Sequence, residues 1–239
     1  PGLDLTGFFV GSEGTLGLVT EVTLKLIREP QAYRTLLGVF DTVDDASRTV
    51  SDIIEAGIIP GALEMMDNLI IQAVEAAFQF GFPLDAGAVL IVELDGLEAG
   101  LDEQAEAVKA ICRRNNVKEV REATDPESRA RLWASRKKAF GAVGRLSPSY
   151  ITQDGVVPRT KLPEILRRIL DIGQRYRLRI ANVFHAGDGN IHPLLLFDPR
   201  DQDQVERVLK ASDEILEACV ELGGSVTGEH GIGIEKVHH

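Results

Sequence analysis

The sequence predicts an α+β fold in which two ferredoxin-like halves each form an antiparallel sheet with helices packed on one face. Strand and helix patterns alternate along the chain from residue 32 onward. Strand–helix–strand pieces occur twice, on either side of one long helical stretch. The two halves share no residue-level repeat, so the expected duplication is one of architecture.

The first half is expected to contain three strands and three helices. The helix that begins near Asp41 has apolar residues at helical spacing and stops before Gly57, a residue suited to a helix C-terminus. The strands are short runs of mostly apolar residues. The predicted strands are Thr35–Phe40, Ala62–Met66 and Ala88–Asp95, and the predicted helices are Asp41–Ala56, 67–79 and Leu101–Arg114.

The second half follows a long helix predicted over Asp125–Arg145. A strand, a helix, a longer β-rich segment and a final helix come after it, and Gly223-Gly224 ends the last helix. These elements are predicted at Tyr150–Val157, Leu162–Arg175, Arg179–Asp198 and 203–222.

The first 31 residues have a different pattern. A glycine-rich stretch, Gly11–Gly17, is typical of a phosphate or cofactor loop, although such turns are common. Leu18–Leu26 then alternates apolar and polar residues and predicts a strand, and Arg28–Gln31 interrupts the pattern. Because a single strand buries nothing alone, we expect it to be the end of a larger unit.

Composition excludes several classes of partner. The formal net charge is −11 and the acidic residues are spread along the chain, which argues against nucleic acid and against an anionic membrane surface. An anionic substrate would need a local cationic clamp. No apolar run is long enough for a transmembrane segment, and the two cysteines are expected to be buried thiols, so we expect a cytoplasmic protein.

The strongest motif is a hairpin pattern with a histidine on each side. Asp188-Gly189 between apolar runs predicts a two-residue turn, which would place His185 directly opposite His192. Their Cβ atoms would then be roughly 5 Å apart on one face, where the two imidazoles can share a divalent ion. The alternative is a hairpin whose histidines only pack.

A second motif, Gly228–Gly233, presents Glu229 and His230 side by side in a glycine-rich loop. Glu229 could complete a His-His-Glu metal site and leave His230 free as a base. The alternative is a flexible loop with solvated side chains. A third motif is the cationic run Arg136-Lys137-Lys138, in which Arg136 is the candidate to hold a carboxylate and the lysines are expected to be solvated.

Five motifs occur in an order that resembles the FAD-linked oxidases of the vanillyl-alcohol-oxidase type. The closest likeness within that family is to glycolate oxidase D subunits and D-lactate dehydrogenases. The resemblance covers the whole chain and rests on Gly11–Gly17, Arg136–Phe140, Asp154–Pro158, His185–His192 and Gly228–Gly233.

The resemblance implies an FAD-dependent dehydrogenase that oxidises a small 2-hydroxy acid, glycolate or D-lactate, to the 2-oxo acid by hydride transfer to FAD. It implies a divalent ion, Zn, Mn or Fe, bound by His185, His192 and Glu229. His230 would be the catalytic base, and Arg136 would lie near the carboxylate of the substrate.

The resemblance also implies a division into domains. Residues 1–31 would be the C-terminal remnant of the FAD-binding domain, and residues 32–239 the substrate and metal domain, truncated at its C-terminus. Most of the FAD site would then be absent, and we expect this chain alone to be inactive and to retain no FAD. Its contribution to FAD binding would come from Gly11, Glu13, Gly14 and Gly17.

Two other hypotheses stay open. One is a dehydrogenase for a bulkier D-2-hydroxy acid, although Thr152 stands where 2-hydroxyglutarate-type relatives carry a lysine, which argues against that substrate. The other is a non-enzymatic metal-binding module with ferredoxin-like halves. The resemblance is compatible with FAD-binding and iron–sulfur partner subunits, and with attachment to a membrane through them.

Overall fold

The computed structural model describes residues 2–239. Up to residue 122 it contains a short N-terminal helix and then a four-stranded unit with three helices. These elements are α1 Leu5–Phe9, β1 Ala32–Phe40, α2 Val43–Glu55, β2 Ala62–Asp67, α3 Asn68–Phe78, β3 Ala88–Gly96, α4 Leu101–Arg114 and β4 Val117–Glu122.

The remainder begins with two helices that connect the halves. They are followed by a second β-rich unit with two long helices and one 3-10 turn at Arg159–Lys161. These elements are α5 Pro126–Lys137, α6 Ala139–Val143, β5 Ser149–Thr152, β6 Gly155–Val156, α7 Leu162–Tyr176, β7 Arg179–His185, β8 Asn190–Phe197 and α8 Gln202–Glu221.

Short polar side chains fix where several helices begin. Thr42, Asp67 and Asp201 each accept a hydrogen bond from a backbone N–H in the first turn of the helix that follows. Asp125 and Ser128 form a reciprocal capping box at the start of α5. No helix in residues 2–239 combines the length and the apolar content needed to cross a bilayer.

The strands form one antiparallel sheet in the order β4-β1-β3-β2-β7-β8-β5, and β6 also pairs with β8. The first four strands have the order of a ferredoxin-like unit. The second half repeats this arrangement of four strand positions. Three of the positions are filled by β7, by β8 and by β5 with β6, and the fourth is occupied by Ser225, which forms an isolated bridge with Val156. The predicted pair of ferredoxin-like halves is therefore confirmed, and the halves join where β2 pairs with β7.

Helices cover both faces of the sheet. On one face α2, α4, α7 and α8 pack over a core that includes Phe40, Val50, Ile165, Phe184 and Ile215. The sequence analysis expected all the helices of the two halves on one face, including the helix at 67–79. That helix, α3, instead packs with α5 and α6 in a second layer on the other face, over Leu37, Ile70, Ile91, Ala142 and Leu194.

The predicted strand at Leu18–Leu26 is wrong. This segment makes no strand pairing, and Leu18 and Leu26 are 90% and 88% exposed. Alternating apolar residues form a strand only where another strand can bond their backbone groups, and residues 2–239 place none beside this segment. The segment expected to be a remnant strand of another domain thus has no regular secondary structure.

Two predicted elements are interrupted. The helix expected over Asp125–Arg145 breaks at Lys138, between α5 and α6. The strand expected over Tyr150–Val157 breaks at Gln153 and Asp154, between β5 and β6. Gln153 and Asp154 are both buried, and each bonds to a different part of the candidate site.

Position 189, in the hairpin loop between β7 and β8, requires a glycine. Gly189 has a φ of 74°, and a Cβ atom there would lie 2.1 Å from the carbonyl oxygen of Val157. We predict that Gly189→Ala lowers the free energy of unfolding by about 2 kcal/mol or more, because it adds both backbone strain and a clash. Urea unfolding followed by circular dichroism measures this.

The matched control is Gly141→Ala in α6, where a Cβ atom would meet nothing within 4 Å. Removing a helical glycine there should be neutral or should stabilise the chain by up to about 1 kcal/mol. Equal unfolding free energies for the two variants would contradict the prediction.

Candidate metal centre

The hairpin of β7 and β8 brings His185 and His192 together, but not in the predicted register. His185 pairs with Asn190, and His192 pairs with Val183. Direct opposition of the two histidines is therefore wrong. Paired residues share a face, and residues two apart on a strand also share a face. The histidines are consequently diagonal neighbours on one face, with ring centroids 5.3 Å apart.

The register differs because the loop has four residues rather than two. A two-residue type I′ turn needs a positive φ at both central positions, and in this loop only Gly189 has one. The Gly187 N–H donates a hydrogen bond to the Leu63 carbonyl, 3.1 Å away, so the loop bonds to β2 in addition to the hydrogen bonds within its own turn. Contact with the neighbouring strand thus decides the turn.

Glu229 lies at the centre of the cluster. Its Oε1 atom is 3.0 Å from His192 Nε2, 3.5 Å from His185 Nε2 and 3.7 Å from His230 Nε2. The His230 ring stacks on His192 with centroids 5.0 Å apart. The structure therefore brings together all four residues that the sequence analysis singled out for metal binding and base catalysis.

The other ring nitrogens of the two hairpin histidines have fixed partners. His185 Nδ1 lies 2.8 Å from Glu64 Oε1, and His192 Nδ1 lies 3.3 Å from the Gln153 carbonyl oxygen. Both partners are oxygen atoms that accept a hydrogen bond from Nδ1–H, so in the neutral imidazole Nε2, on the side of Glu229, is the electron-pair donor. Carboxylate and carbonyl partners of this kind are typical of metal-binding histidines.

The donor set fits a divalent ion. Bonds of about 2.1 Å in tetrahedral or octahedral geometry place neighbouring ligand atoms roughly 3.0–3.4 Å apart. The distances from Glu229 to His192 and His185 are close to that range. Two imidazoles and a carboxylate are ligands that Zn, Mn and Fe accept. The compact group of potential ligands, within 4.8 Å of one another, consists of Asp154, His192, Glu229 and His230, and His185 is not part of it.

Arg136 lies directly behind this cluster. It is 7% exposed, and its Nε donates to Glu64 Oε2 at 2.7 Å. Its Nη2 has no hydrogen-bond partner in residues 2–239. Glu64 therefore bridges Arg136 and His185, and the Nη2 group of the arginine keeps its N–H donors without a partner.

Glu64 is a site residue that the sequence analysis missed. It is 8% exposed within β2, where it is flanked by the buried apolar residues Leu63 and Met65. An acidic residue inside an otherwise apolar strand is rarely buried without a partner. That pattern was the available signal, although it does not say which residue the partner would be.

The two hairpin histidines have opposite electrostatic environments. The hydrogen bond to Glu64 raises the pKa of His185 above its ordinary value, outweighing burial. Burial, assisted by the nearby His185, lowers the pKa of His192. His192 therefore favours the neutral form that a metal ligand needs.

The predicted cofactor loop contacts the Gly228–Gly233 loop from outside. Glu13 accepts a hydrogen bond from the Ile232 N–H at 2.9 Å. Gly11, Gly14 and Gly17 have positive φ, and each is exposed. Beside this contact an open depression of about 300 Å³ is lined by Thr152, His230 and residues 231–236.

A second group with metal-binding atoms lies at the end of the chain. Asp213 Oδ1 is 3.2 Å from His238 Nε2 and 3.4 Å from His239 Nε2. The sequence analysis gave the two terminal histidines no role. This group is separate from the hairpin cluster.

Solved structures of other proteins share this fold. The chain superposes on p-cresol methylhydroxylase with substrate bound at a TM-score of 0.72, with 14% identity, covering 95% of this chain and 50% of that one. Alkyldihydroxyacetonephosphate synthase gives a TM-score of 0.68 with 16% identity, covering 94% and 46%. At these identities the likeness concerns the fold alone.

Sequence comparison identifies the family. The family of FAD linked oxidases, C-terminal domain, matches residues 29–239, and the chain belongs to it. It is 52% identical over its full length to glycolate oxidase subunit GlcD of Escherichia coli K12, of which it covers 48%. It is 32% identical to the mitochondrial D-lactate dehydrogenase [cytochrome] of Arabidopsis thaliana, covering 100% of this chain and 42% of that protein. The chain thus spans about half the length of these relatives.

The hydrogen bond between Glu64 and His185 gives a pH-dependent prediction. In metal-free protein Glu64→Gln should lower the pKa of His185, because a neutral amide no longer stabilises the imidazolium. A raised folded pKa contributes stability that is fully present below the unfolded value, about 6.5, and is lost as the pH rises through the folded value. Glu64→Gln should therefore reduce the extra stability at acidic pH.

Histidine titration by NMR measures the first effect, and urea unfolding at several pH values measures the second. Glu119→Gln, on β4, is the control and should change neither. An unaltered His185 pKa in Glu64→Gln would show that the hydrogen bond does not govern this histidine.

Proposed function

We propose that this chain is the substrate and metal domain of an FAD-dependent dehydrogenase that oxidises a small 2-hydroxy acid, glycolate or D-lactate, to the 2-oxo acid. The observation that carries the proposal is the position of Glu229 Oε1, between 3.0 and 3.7 Å from three imidazole nitrogens. Membership of the FAD-linked oxidases and the likeness to glycolate oxidase subunits and D-lactate dehydrogenases support it.

In this proposal His185, His192 and Glu229 hold a divalent ion of Zn, Mn or Fe. Such an ion supplies Lewis-acid chemistry to an adjacent hydroxyl and carboxylate, and FAD supplies the hydride acceptor. Glu64 and Gln153 orient the two histidines. The carboxylate of Glu229 offsets part of the charge of the ion, and a carboxylate does not titrate near neutral pH.

His230 is proposed as the catalytic base. Its side chain is half-exposed, and its Nε2 is the farthest of the three imidazole nitrogens from Glu229. An imidazole outside the ligand set keeps an electron pair that can accept the C2-hydroxyl proton of the substrate. The stacking on His192 holds the ring at the open side of the cluster.

Arg136 is proposed to hold the carboxylate of the substrate. A buried guanidinium with an unpartnered Nη2 leaves a donor that a carboxylate can satisfy. Glu64 keeps Nε occupied and so fixes which edge of the guanidinium is available. This is the local cationic clamp that an anionic substrate needs on an otherwise acidic chain.

We assign residues 1–31 to the end of an FAD-binding domain and residues 32–239 to the substrate domain. The family match beginning at residue 29 and the unpaired Leu18–Leu26 segment support this division. The positive φ values in the exposed Gly11–Gly17 loop support backbone contacts to FAD from Gly11, Glu13, Gly14 and Gly17. We also propose that the enzyme has partner subunits, including an iron–sulfur subunit, and that it is cytoplasmic.

The test separates the roles of Glu229 and His230 in the full-length enzyme. Glu229→Gln should lose the ion and activity together, because it removes the anionic ligand. His230→Asn should keep the ion and lose turnover by a factor of roughly 10² or more, because only the base is removed. Elemental analysis gives the metal content, and anaerobic reduction of FAD by glycolate or D-lactate gives the rate.

His238→Asn is the matched control, since His238 is an exposed histidine outside the cluster, and it should keep both metal and turnover. If purified His230→Asn contains no metal while Glu229→Gln retains it, then His230 is the metal ligand and Glu229 is the base. A full-length enzyme whose flavin is reduced by no small 2-hydroxy acid would refute the proposed activity.

A further inference from the structure

We propose that Asp154 is the positioning residue that fixes Glu229 and His230 against His192, and that it does so without binding the metal ion itself. The inference rests on the proposed function, which makes Glu229 a metal ligand and His230 a base. Nothing in the sequence pattern assigns a role to this aspartate beyond its place in the Asp154–Pro158 motif.

One oxygen of Asp154 holds the whole turn of the Gly228–Gly233 loop. Oδ2 accepts hydrogen bonds from the consecutive backbone N–H groups of Gly228, Glu229 and His230, at 2.9, 3.0 and 2.8 Å. It also accepts one from the Thr227 hydroxyl at 2.8 Å. Successive N–H groups converging on one anion form a concave nest, which fixes the backbone of the residues that supply them.

Asp154 belongs to the compact group of potential ligands, within 4.8 Å of one another, and its Oδ1 has no hydrogen-bond partner in residues 2–239. Its carboxylate is fully buried, and Oδ1 lies 3.9 Å from His192 Nδ1. Glu229 lies on the other side of that ring, at Nε2. Asp154 therefore faces Nδ1, whereas an ion held by Glu229 would lie at Nε2, and the Co²⁺ spectrum decides whether Oδ1 reaches that ion.

The position of Asp154 in the chain lets it connect the two parts of the site. It follows Gln153, whose carbonyl oxygen accepts a hydrogen bond from His192 Nδ1, at the break between β5 and β6. The two adjacent residues thus orient a histidine of the hairpin and the loop that faces it. Lys236 adds a further link, since its Nζ donates to the Val226 and Asp154 carbonyls at 2.7 and 3.4 Å.

Close packing of the loop on the hairpin agrees with this role. A Cβ atom at Gly228 would lie 2.8 Å from the side chain of Asn190, the residue that pairs with His185. The loop therefore has little room to shift while Asp154 holds it. Without the anion, three backbone N–H groups would lose their shared partner, and we expect the loop to leave this position.

The experiment compares Asp154→Ala and Asp154→Asn with the wild type in the full-length enzyme. Zn²⁺ affinity is measured by competition with a chelator, and the absorption spectrum of the Co²⁺-substituted enzyme reports the ligand set. Asp154→Ala should weaken Zn²⁺ binding roughly 10–100-fold, as expected for loss of a group that orients ligands. Asp154→Asn keeps an acceptor oxygen, so it should recover most of the affinity and give the wild-type Co²⁺ spectrum.

Asp45→Ala is the matched control for loss of a buried carboxylate. Asp45 is also buried and also accepts hydrogen bonds, from Thr42, Arg48 and Asn116, at the start of α2. It should lower thermal stability without changing Zn²⁺ affinity. This separates a general loss of stability from a local effect on the site.

Two results would overturn the inference while leaving the proposed function intact. The first is that Asp154→Ala binds Zn²⁺ as tightly as the wild type, which would show that the loop needs no anchor. Alternatively, Asp154→Asn could lose Zn²⁺ as completely as Glu229→Gln and alter the Co²⁺ spectrum, which would make Asp154 a ligand. A wild-type enzyme that binds neither ion contradicts the proposed function and the inference together.

Discussion

The pairing of Glu64 with His185, across the seam where β2 meets β7, is the contact on which the rest of the site depends. It lies where the two ferredoxin-like halves become one sheet. Through it the first half supplies a carboxylate and the second half supplies an imidazole. A buried carboxylate is costly unless it is fully paired, and Arg136 on α5 completes its partners. The helical connection between the halves therefore serves the site as well as the fold.

The sequence predicts those features that depend on local periodicity and turn residues. Alternating strands and helices define both halves, and the Asp188-Gly189 pair marks the hairpin that brings His185 and His192 to one face. The register could not be predicted, because the loop conformation depends on a bond from Gly187 to Leu63, far away in sequence. The second helical layer and the role of Glu64 were missed for the same reason. Both follow from contacts between distant segments.

Electrostatics at the site differ from those of the chain as a whole. The net charge of −11 would repel an anionic substrate, yet the interior presents a buried guanidinium with one unpartnered nitrogen. Burial lowers the pKa of His192, while the hydrogen bond to Glu64 raises that of His185. Neighbouring histidines thus have opposite preferences for protons, and a bound cation would favour the neutral form of both.

Anomalous X-ray diffraction from crystals of the full-length enzyme grown with Zn²⁺ tests the central claim most directly. The account predicts one strong peak within about 2.0–2.2 Å of His185 Nε2, His192 Nε2 and a Glu229 oxygen. Such a peak should have no contact with Asp154. A peak bound only by Asp213, His238 and His239, or one at the hairpin that uses Asp154 in place of His185, would contradict it.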